Sequence, residues 1–375
     1  MKVLIVATVQ SHVAQFHKPL MRMLKDRGYK VHVAAKDNLK EKDGLKIEFA
    51  DKIFNIPFSR SPISFKNYIA YKQLGKLIDK GKYNIIHCNT PVGGFISRIV
   101  VYRKRKSSSI KIYYTAHGFH FYKGSKILNW IIYYPIEKIL SNLTDKLITI
   151  CWEDYEIAKR NFKTKVFHIH GVGVDETLFQ PVSKERSNQI RKMLNIKENE
   201  FVLLNVGELN KNKNQSIIID TMKLLIEKYK IDNIKLIIAG NGEMYKSLKK
   251  KVAKLNLTSK VELVGYKKNI EKYFQSCDIL ISSSIREGLG LNIIQGLFCC
   301  KPVIASNNRG HRELIKHGYN GYIVKNNANE YAIYIVRILL DNKEYQRISE
   351  NCRESVIKYS AEKVKSELDY IYAEK

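Results

Sequence analysis

Residues 282–306, SSSIREGLGLNIIQGLFCCKPVIAS, decide how the chain is read. The run DILI at 278–281 predicts a buried parallel strand and Gly288 and Gly290 loosen a turn; 291–298 then carries apolar positions at helical spacing, and 302–305 predicts a second strand. Strand, glycine turn, helix and strand make one repeat of an open parallel sheet. In such sheets the turn lies beyond the carboxyl ends of the strands, where ligands bind, and the unpaired N–H groups at a helix start suit a diphosphate. Glu287 stands at the mouth of that turn. An isolated Glu-Gly pair reads equally well as a helix cap, so the rest of the chain has to decide.

With 375 residues, 45% hydrophobic and 27% charged, the chain is long enough for two domains, each with its own core. Its six cysteines, at 88, 151, 277, 299, 300 and 352, show neither a C-x-x-C pair nor zinc spacing. They read as reduced core residues of a cytosolic protein. The longest uncharged stretches, 83–97 and 288–300, fall short of the roughly 20 apolar residues of a membrane span. Lys2 runs straight into VLIVAT without a cleavage site, so a cytoplasmic protein without a signal peptide is expected. Lys and Arg outnumber Asp and Glu 65 to 36, and between 51 and 150 the ratio is 17 to 4. That field favours an anionic partner, whether nucleic acid, an acidic lipid surface or a phosphorylated substrate. The interleaved aromatic and basic motifs of RNA-binding modules are absent, so no nucleic-acid partner is expected.

The first half opens with a strand at 2–8, a helix stopped by Gly28 and a strand at 30–35. This is a Rossmann-like start without G-x-G-x-x-G, so no dinucleotide is expected there. His12 and His17 flank the first turn with Phe16 between them, as contacts for a second substrate or as locally bonded loop residues. A helix opening at Thr90-Pro91 ends in the basic cluster 103–106, suited to a helix C-terminus or to phosphate headgroups. TAHGFHFY at 115–122 follows a strand, and its His117, Phe119 and His120 shape a sugar or nucleotide pocket. Core packing is the competing reading for Phe119. ILNWIIYYPIEKIL at 127–140 groups Trp130, Tyr133 and Tyr134 with lysines, as in an interfacial helix or a buried interhelical face. The polar stretch 181–186 predicts a linker and a domain boundary at 180.

The second half restarts the alternation. A strand at 201–206 leads into GELNKNKN at 207–214, one at 234–239 into Gly240-Asn241-Gly242, and one at 261–264 into Gly265-Tyr266-Lys267; the Glu287 turn is the fourth such strand end. Four loops of one rim thus converge on one crevice. Lys213, at a helix start, is placed to neutralise a diphosphate in place of a metal ion.

On these motifs the second half resembles the donor-binding domain of the family 4 retaining glycosyltransferases of the GT-B fold. The first half, through TAHGFHFYKG at 115–124 and HCNTPVGG at 87–94, resembles the bacterial members that build capsule and exopolysaccharide. The resemblance implies an α/β fold of two Rossmann-like doubly wound domains facing across a cleft: residues 1–180 binding acceptor, 181–358 binding nucleotide-sugar, and a terminal helix, 359–375, crossing back to the first. The helix 331–340 is expected to cross back with it. It implies transfer from a nucleotide-diphosphate sugar, a UDP-sugar, with no metal and no other cofactor; the basic, aromatic first half suits a membrane surface carrying diphosphate, so a lipid-diphosphate-linked saccharide at the inner face of the plasma membrane is the expected acceptor.

By the same resemblance Glu287 contacts the transferred sugar as the first Glu of an E-x7-E motif and His117 stands near the reacting carbon. Lys213 holds the donor phosphate, and Tyr266 and Lys267 border the base. Gly207, Glu208, Asn212, Gly240, Gly242, Arg286, Gly288, Leu289, Gly290, Leu291 and Gln295 complete the donor set; His12, Phe16, His17, Phe119 and His120 form the acceptor set. Two positions depart from the family pattern. Gln295 replaces the second Glu, keeping an acceptor oxygen but losing its charge. Glu208 stands where the family favours Arg, shifting the phosphate role to Lys213, Lys211, Arg286 and backbone amides. A GT-B epimerase acting without acceptor, and a catalytically weak nucleotide-sugar binder, stay open as alternatives.

Overall fold

The central strand-forming runs are apolar on both faces, as strands covered by helices on either side must be. The structure, a computed structural model, describes residues 1–42, 44–104 and 109–374. Among them, β1 (Lys2–Val9), β2 (Lys30–Lys36), β3 (Lys52–Asn55), β4 (Ile85–Asn89), β5 (Lys111–Ala116), β6 (Lys146–Thr149) and β7 (Lys165–His168) pair in parallel in the order β3-β2-β1-β4-β5-β6-β7. β8 (Phe201–Val206), β9 (Ile234–Ala239), β10 (Val261–Gly265), β11 (Ile279–Ser282), β12 (Val303–Ser306) and β13 (Gly321–Val324) form a second parallel sheet, β10-β9-β8-β11-β12-β13. Each order reverses once, between β1 and β4 and between β8 and β11. At such a point successive crossovers leave on opposite faces and open a crevice at the strand ends.

The chain divides into two units, Met1–Gly173 with Ala361–Lys375, and Val174–Ser360. The division therefore falls before Val174 and not at 180: Val174 and Phe179 are buried in the second unit's core, and Ser183 caps the helix Lys184–Met193 of that unit. The helix Ala361–Ala373 belongs to the first unit, where Arg27 Nε donates to Asp369 Oδ1 at 2.6 Å and the Tyr372 hydroxyl meets His87 Nδ1 at 2.6 Å. The expected crossing of 331–340 is corrected. The helix Ala328–Leu340 buries Tyr331, Ala332, Ile335 and Ile338 in the second unit's own core.

The aromatic helix of the first unit, Ile127–Ser141, is turned the other way from the interfacial reading. Trp130, Tyr133 and Tyr134 pack against the core, with Trp130 5.5 Å and Tyr134 5.4 Å from the ring of Phe121. The opposite face exposes Ile127, Leu128, Ile131, Ile132, Ile136 and Ile139. One buried ion pair anchors the helix: Arg98, fully buried over the Tyr114 ring, makes a two-pronged contact with Glu137 at 2.8 and 3.1 Å. Of the basic cluster 103–106, Arg105 and Lys106 lie outside the described residues. No helix among the described residues is long and apolar enough to cross a membrane.

Removing Glu137 leaves the Arg98 guanidinium charged and without its carboxylate in the core. We expect Glu137→Ala to cost about 3–5 kcal/mol of stability, read as a lowered midpoint in urea unfolding; an unchanged midpoint would show that the pair does not hold the helix.

Candidate active site

The second sheet's reversal brings the ends of β8 and β11 side by side, and the loops that leave them are sewn together. Ile285 N–H donates to Asn212 O at 2.7 Å and Asn212 Nδ2 to Arg286 O at 2.9 Å. Ser283 Oγ donates to the carbonyls of Lys213 and Asn214. The result is that Lys213 Nζ lies 2.5 Å from Glu287 Oε1, with both side chains mostly buried. Burial opposes ionisation of Glu287, but the Lys213 ammonium and hydrogen bonds from Lys213 and Ser284 outweigh it and hold the carboxyl below its ordinary value. Glu287 is therefore an ionised, oriented acceptor rather than a proton donor at neutral pH.

The other two rim loops continue in sheet order. Gly240 has φ +149°, and a Cβ there would lie 1.9 Å from Gly207 O; a Cβ on Gly242 would lie 2.2 Å from Leu209 O. Leu209 N–H donates to Asn241 O and Met244 N–H to Leu209 O, both at 3.0 Å, while Tyr266 N–H reaches Asn241 Oδ1 at 3.1 Å. The two glycines thus let backbone pack on backbone. They build the rim, and no side chain could replace them without moving the β8 loop. All four rim segments are joined by hydrogen bonds around the β8–β11 reversal.

The remaining donor-set residues follow from these contacts. Gly207 abuts the Lys213 stem, and Lys267 is exposed. Leu289 and Leu291 pack on the second core, and Gly290 is the N-cap of the helix Leu291–Phe298. Glu208 is exposed and contributes its carbonyl to Gln215 Nε2 at 3.1 Å. Gln295 is half-buried on the Leu291–Phe298 helix, and its amide has no hydrogen-bond partner among the described residues.

The sequence reading stopped one strand short. β12 adjoins β11, so the segment after it must meet the Glu287 loop. There Arg309 Nε donates to Glu287 O at 3.3 Å, and a Cβ on Gly310 would lie 2.8 Å from Glu287 Cβ. Buried His311 meets Ser306 O through Nδ1 at 2.7 Å and Ser282 Oγ through Nε2 at 3.2 Å. Burial holds it neutral, down at about 4, although Glu287 pulls the other way. The strand-end rule applied to Asn307-Asn308-Arg309-Gly310-His311 would have found this segment.

In the first unit, His12, His17 and His117 come together: ring centroids are 4.6 Å apart for His12 and His117 and 5.3 Å for His17 and His117. Phe16 packs 4.8 Å from His12, and Asn89 Oδ1 lies 3.5 Å from His117 Nε2. Burial depresses all three imidazoles, His117 to about 4. Phe119 does not join them: its ring is buried and stacks on Phe121 at 4.7 Å, while its backbone N–H donates to buried Asp154 at 2.8 Å. It is corrected from acceptor contact to core. His120 stacks on Tyr133 at 4.5 Å.

The family model for glycosyl transferases group 1 matches residues 186–355, and that for glycosyl transferase 4-like proteins matches residues 2–150. The chain is 38% identical over 375 residues to EpsD of Bacillus subtilis (strain 168), a protein named as a glycosyltransferase, covering 99% of this chain and 96% of that one. It is 28% identical over 288 residues to the Escherichia coli UDP-Gal:alpha-D-GlcNAc-diphosphoundecaprenol alpha-1,3-galactosyltransferase, covering 76% and 73%. Its fold matches that of Anabaena Alr3699/HepE, solved with UDP and glucose, at a TM-score of 0.79 and 18% identity over 100% of both chains. The two parallel-sheet units are those of the GT-B class. Full-length likeness to EpsD and the two family models, the 4-like one matching within the first unit and the group 1 one within the second, place this chain in the group 1 and 4-like glycosyl transferases: it is a glycosyltransferase.

Proposed function

We propose that the enzyme moves a sugar, with retention at the anomeric carbon, from a UDP-sugar to a lipid-diphosphate-linked saccharide in capsule or exopolysaccharide assembly. The observation that carries this reading is the Lys213–Glu287 pair at the strand reversal of the second sheet. A lysine offers three donors, so a diphosphate oxygen can take one while another keeps Glu287 in place. Lys213, the amides at the start of the Leu291–Phe298 helix, Lys211 and Arg286 would stabilise the charge that collects on the diphosphate as the glycosidic bond loosens. That leaves the donor phosphates no need of a metal. Glu287 would accept hydrogen bonds from sugar hydroxyls, for which an ionised carboxylate is suited.

In the first unit His12, Phe16 and His17 would seat the acceptor, and His117, uncharged at neutral pH, can offer it a ring N–H. The donor nucleotide is inferred from HepE, which was solved with UDP, and the acceptor from the Escherichia coli relative named for a diphosphoundecaprenol substrate. The protein would work at the cytoplasmic face of the membrane, touching it through the exposed isoleucine face of the helix Ile127–Ser141. Lys126 and Lys138 are exposed beside that face. Aliphatic side chains entering the headgroup layer next to lysines give both apolar and electrostatic attraction.

Three outcomes test this. A panel of nucleotide sugars should give nucleotide release that requires a lipid-linked acceptor, and Glu287→Ala should lower it by about 100-fold or more with circular dichroism unchanged. Near-normal turnover in that variant, or a free isomerised sugar nucleotide from donor alone, would overturn the assignment. Lys213→Ala should weaken UDP binding by about tenfold or more in calorimetry; unchanged affinity would remove its phosphate role. Changing Ile131 and Ile139 together to Ser should cut co-sedimentation with anionic vesicles by about tenfold, whereas equal binding would place the contact elsewhere.

A further inference from the structure

Besides Lys213, Glu287 is met by a buried polar layer between the ends of β11 and β12. At its centre His311 is 0% exposed, and Ser282, Ser284 and Ser306 are at most 3% exposed. The partners of the ring fix its protonation. Ser306 O, 2.7 Å from Nδ1, can only accept, so Nδ1 carries the proton. Nε2 then keeps its lone pair and takes the Ser282 hydroxyl at 3.2 Å. Asn308 Oδ1 accepts from His311 N–H at 3.1 Å and holds the backbone beneath the ring.

The layer reaches Glu287 at two points. Ser306 Oγ and Asn308 Nδ2 both donate to Ser284 O, at 2.6 and 2.9 Å, and the Ser284 side chain hydrogen-bonds the Glu287 carboxylate. Gly310, next to His311, lies so close that a Cβ there would stand 2.8 Å from Glu287 Cβ and 3.0 Å from the carbonyls of Glu287 and Gly288. On the core side the Tyr331 hydroxyl donates to Ser282 O at 2.8 Å. Stability alone does not call for such a layer, because paired buried polar groups exchanged together for apolar ones of the same shape cost little. A fully satisfied network supplies a single arrangement instead. Burial also keeps the ring neutral, so no second cation here competes with Lys213 for the carboxylate.

We propose that His311 is a positioning residue for sugar transfer: through Ser306, Ser284 and Gly310 it fixes the Glu287 carboxylate in its working orientation. Being fully buried, His311 has no surface to offer a substrate and acts only through Glu287. The inference rests on the proposed role of Glu287 at the transferred sugar and adds to it the device that aims the carboxylate.

The test is a double-mutant cycle on the full-length chain, with His311→Leu and Glu287→Ala alone and together, read as acceptor-dependent UDP release and as UDP affinity by calorimetry. His311→Leu removes both ring hydrogen bonds at similar volume; kcat should fall about tenfold or more, with UDP affinity unchanged. In the Glu287→Ala background the same change should cost little further, since a residue that acts through Glu287 has nothing left to orient. His311→Asn, which keeps an N–H donor near the place of Nδ1, should retain more kcat than His311→Leu, whereas a packing role would rank the bulkier Leu first. Ser306→Ala cuts the link from the ring to Ser284 with little loss of volume and completes the same cycle should His311→Leu not fold. A kcat near the parent's in His311→Leu, losses that multiply in the double variant, or Leu outperforming Asn overturns the inference. Near-normal turnover in Glu287→Ala alone overturns the reading beneath it as well, so the two failures are told apart.

Discussion

The ion pair between Lys213 and Glu287 depends on a topological constraint. In an open parallel sheet every crossover has the same hand, so a crevice opens only where strand order reverses. β8 and β11 are the pair at that reversal in the second sheet, and each carries one member of the ion pair on the loop that leaves it. Two charges this far out of water need each other, and the loops are fixed so that they meet: Asn212 to Arg286, Ser283 to Lys213, Arg309 to Glu287. Any account of donor binding inherits this geometry. Cation and carboxylate are already oriented, so a diphosphate sugar bound there as proposed would ask little reorganisation of them.

The first unit obeys the same constraint with different residues. Its reversal lies between β1 and β4, and the loops there and after the adjacent β5 bring imidazoles together where the second unit brings a lysine and a carboxylate. Its apolar resources are also distributed differently. The aromatic rings of Ile127–Ser141 fill the core while the isoleucines face outward, and the buried Arg98–Glu137 pair fixes the helix in that orientation. Exposed aliphatic residues in such number are unusual on a surface bathed only by water.

The departures from the family pattern find different explanations. Glu208 is exposed, and its backbone carbonyl accepts from Gln215 Nε2, a contact that does not depend on which side chain stands at 208. Gln295 lies on the helix that begins at the rim, and its amide is uncommitted among the described residues. Arg309, brought to the Glu287 carbonyl by β12, supplies positive charge that the sequence reading did not count.

Periodicity and punctuation determined the alternating strands and helices, the restart in the second half and the four loops ending in glycine, lysine or aromatic residues. These are local patterns: a strand buried on both faces must be apolar throughout, and a tight turn after it needs Gly. The pairing of Lys213 with Glu287 was inferable only as convergence on one rim, and the family resemblance supplied the roles. Tertiary structure alone decided which face of 127–140 points inward, that Gly240 and Gly242 serve backbone packing, and that Phe119 belongs to the core. It also brought Arg309 and His311 to Glu287, and joined His12 and His17 to His117. The reason is common to all five: amphipathic and glycine signals in a sequence say that a residue is buried or a turn is tight, but what it is buried against follows from strand order, which couples positions far apart in the chain.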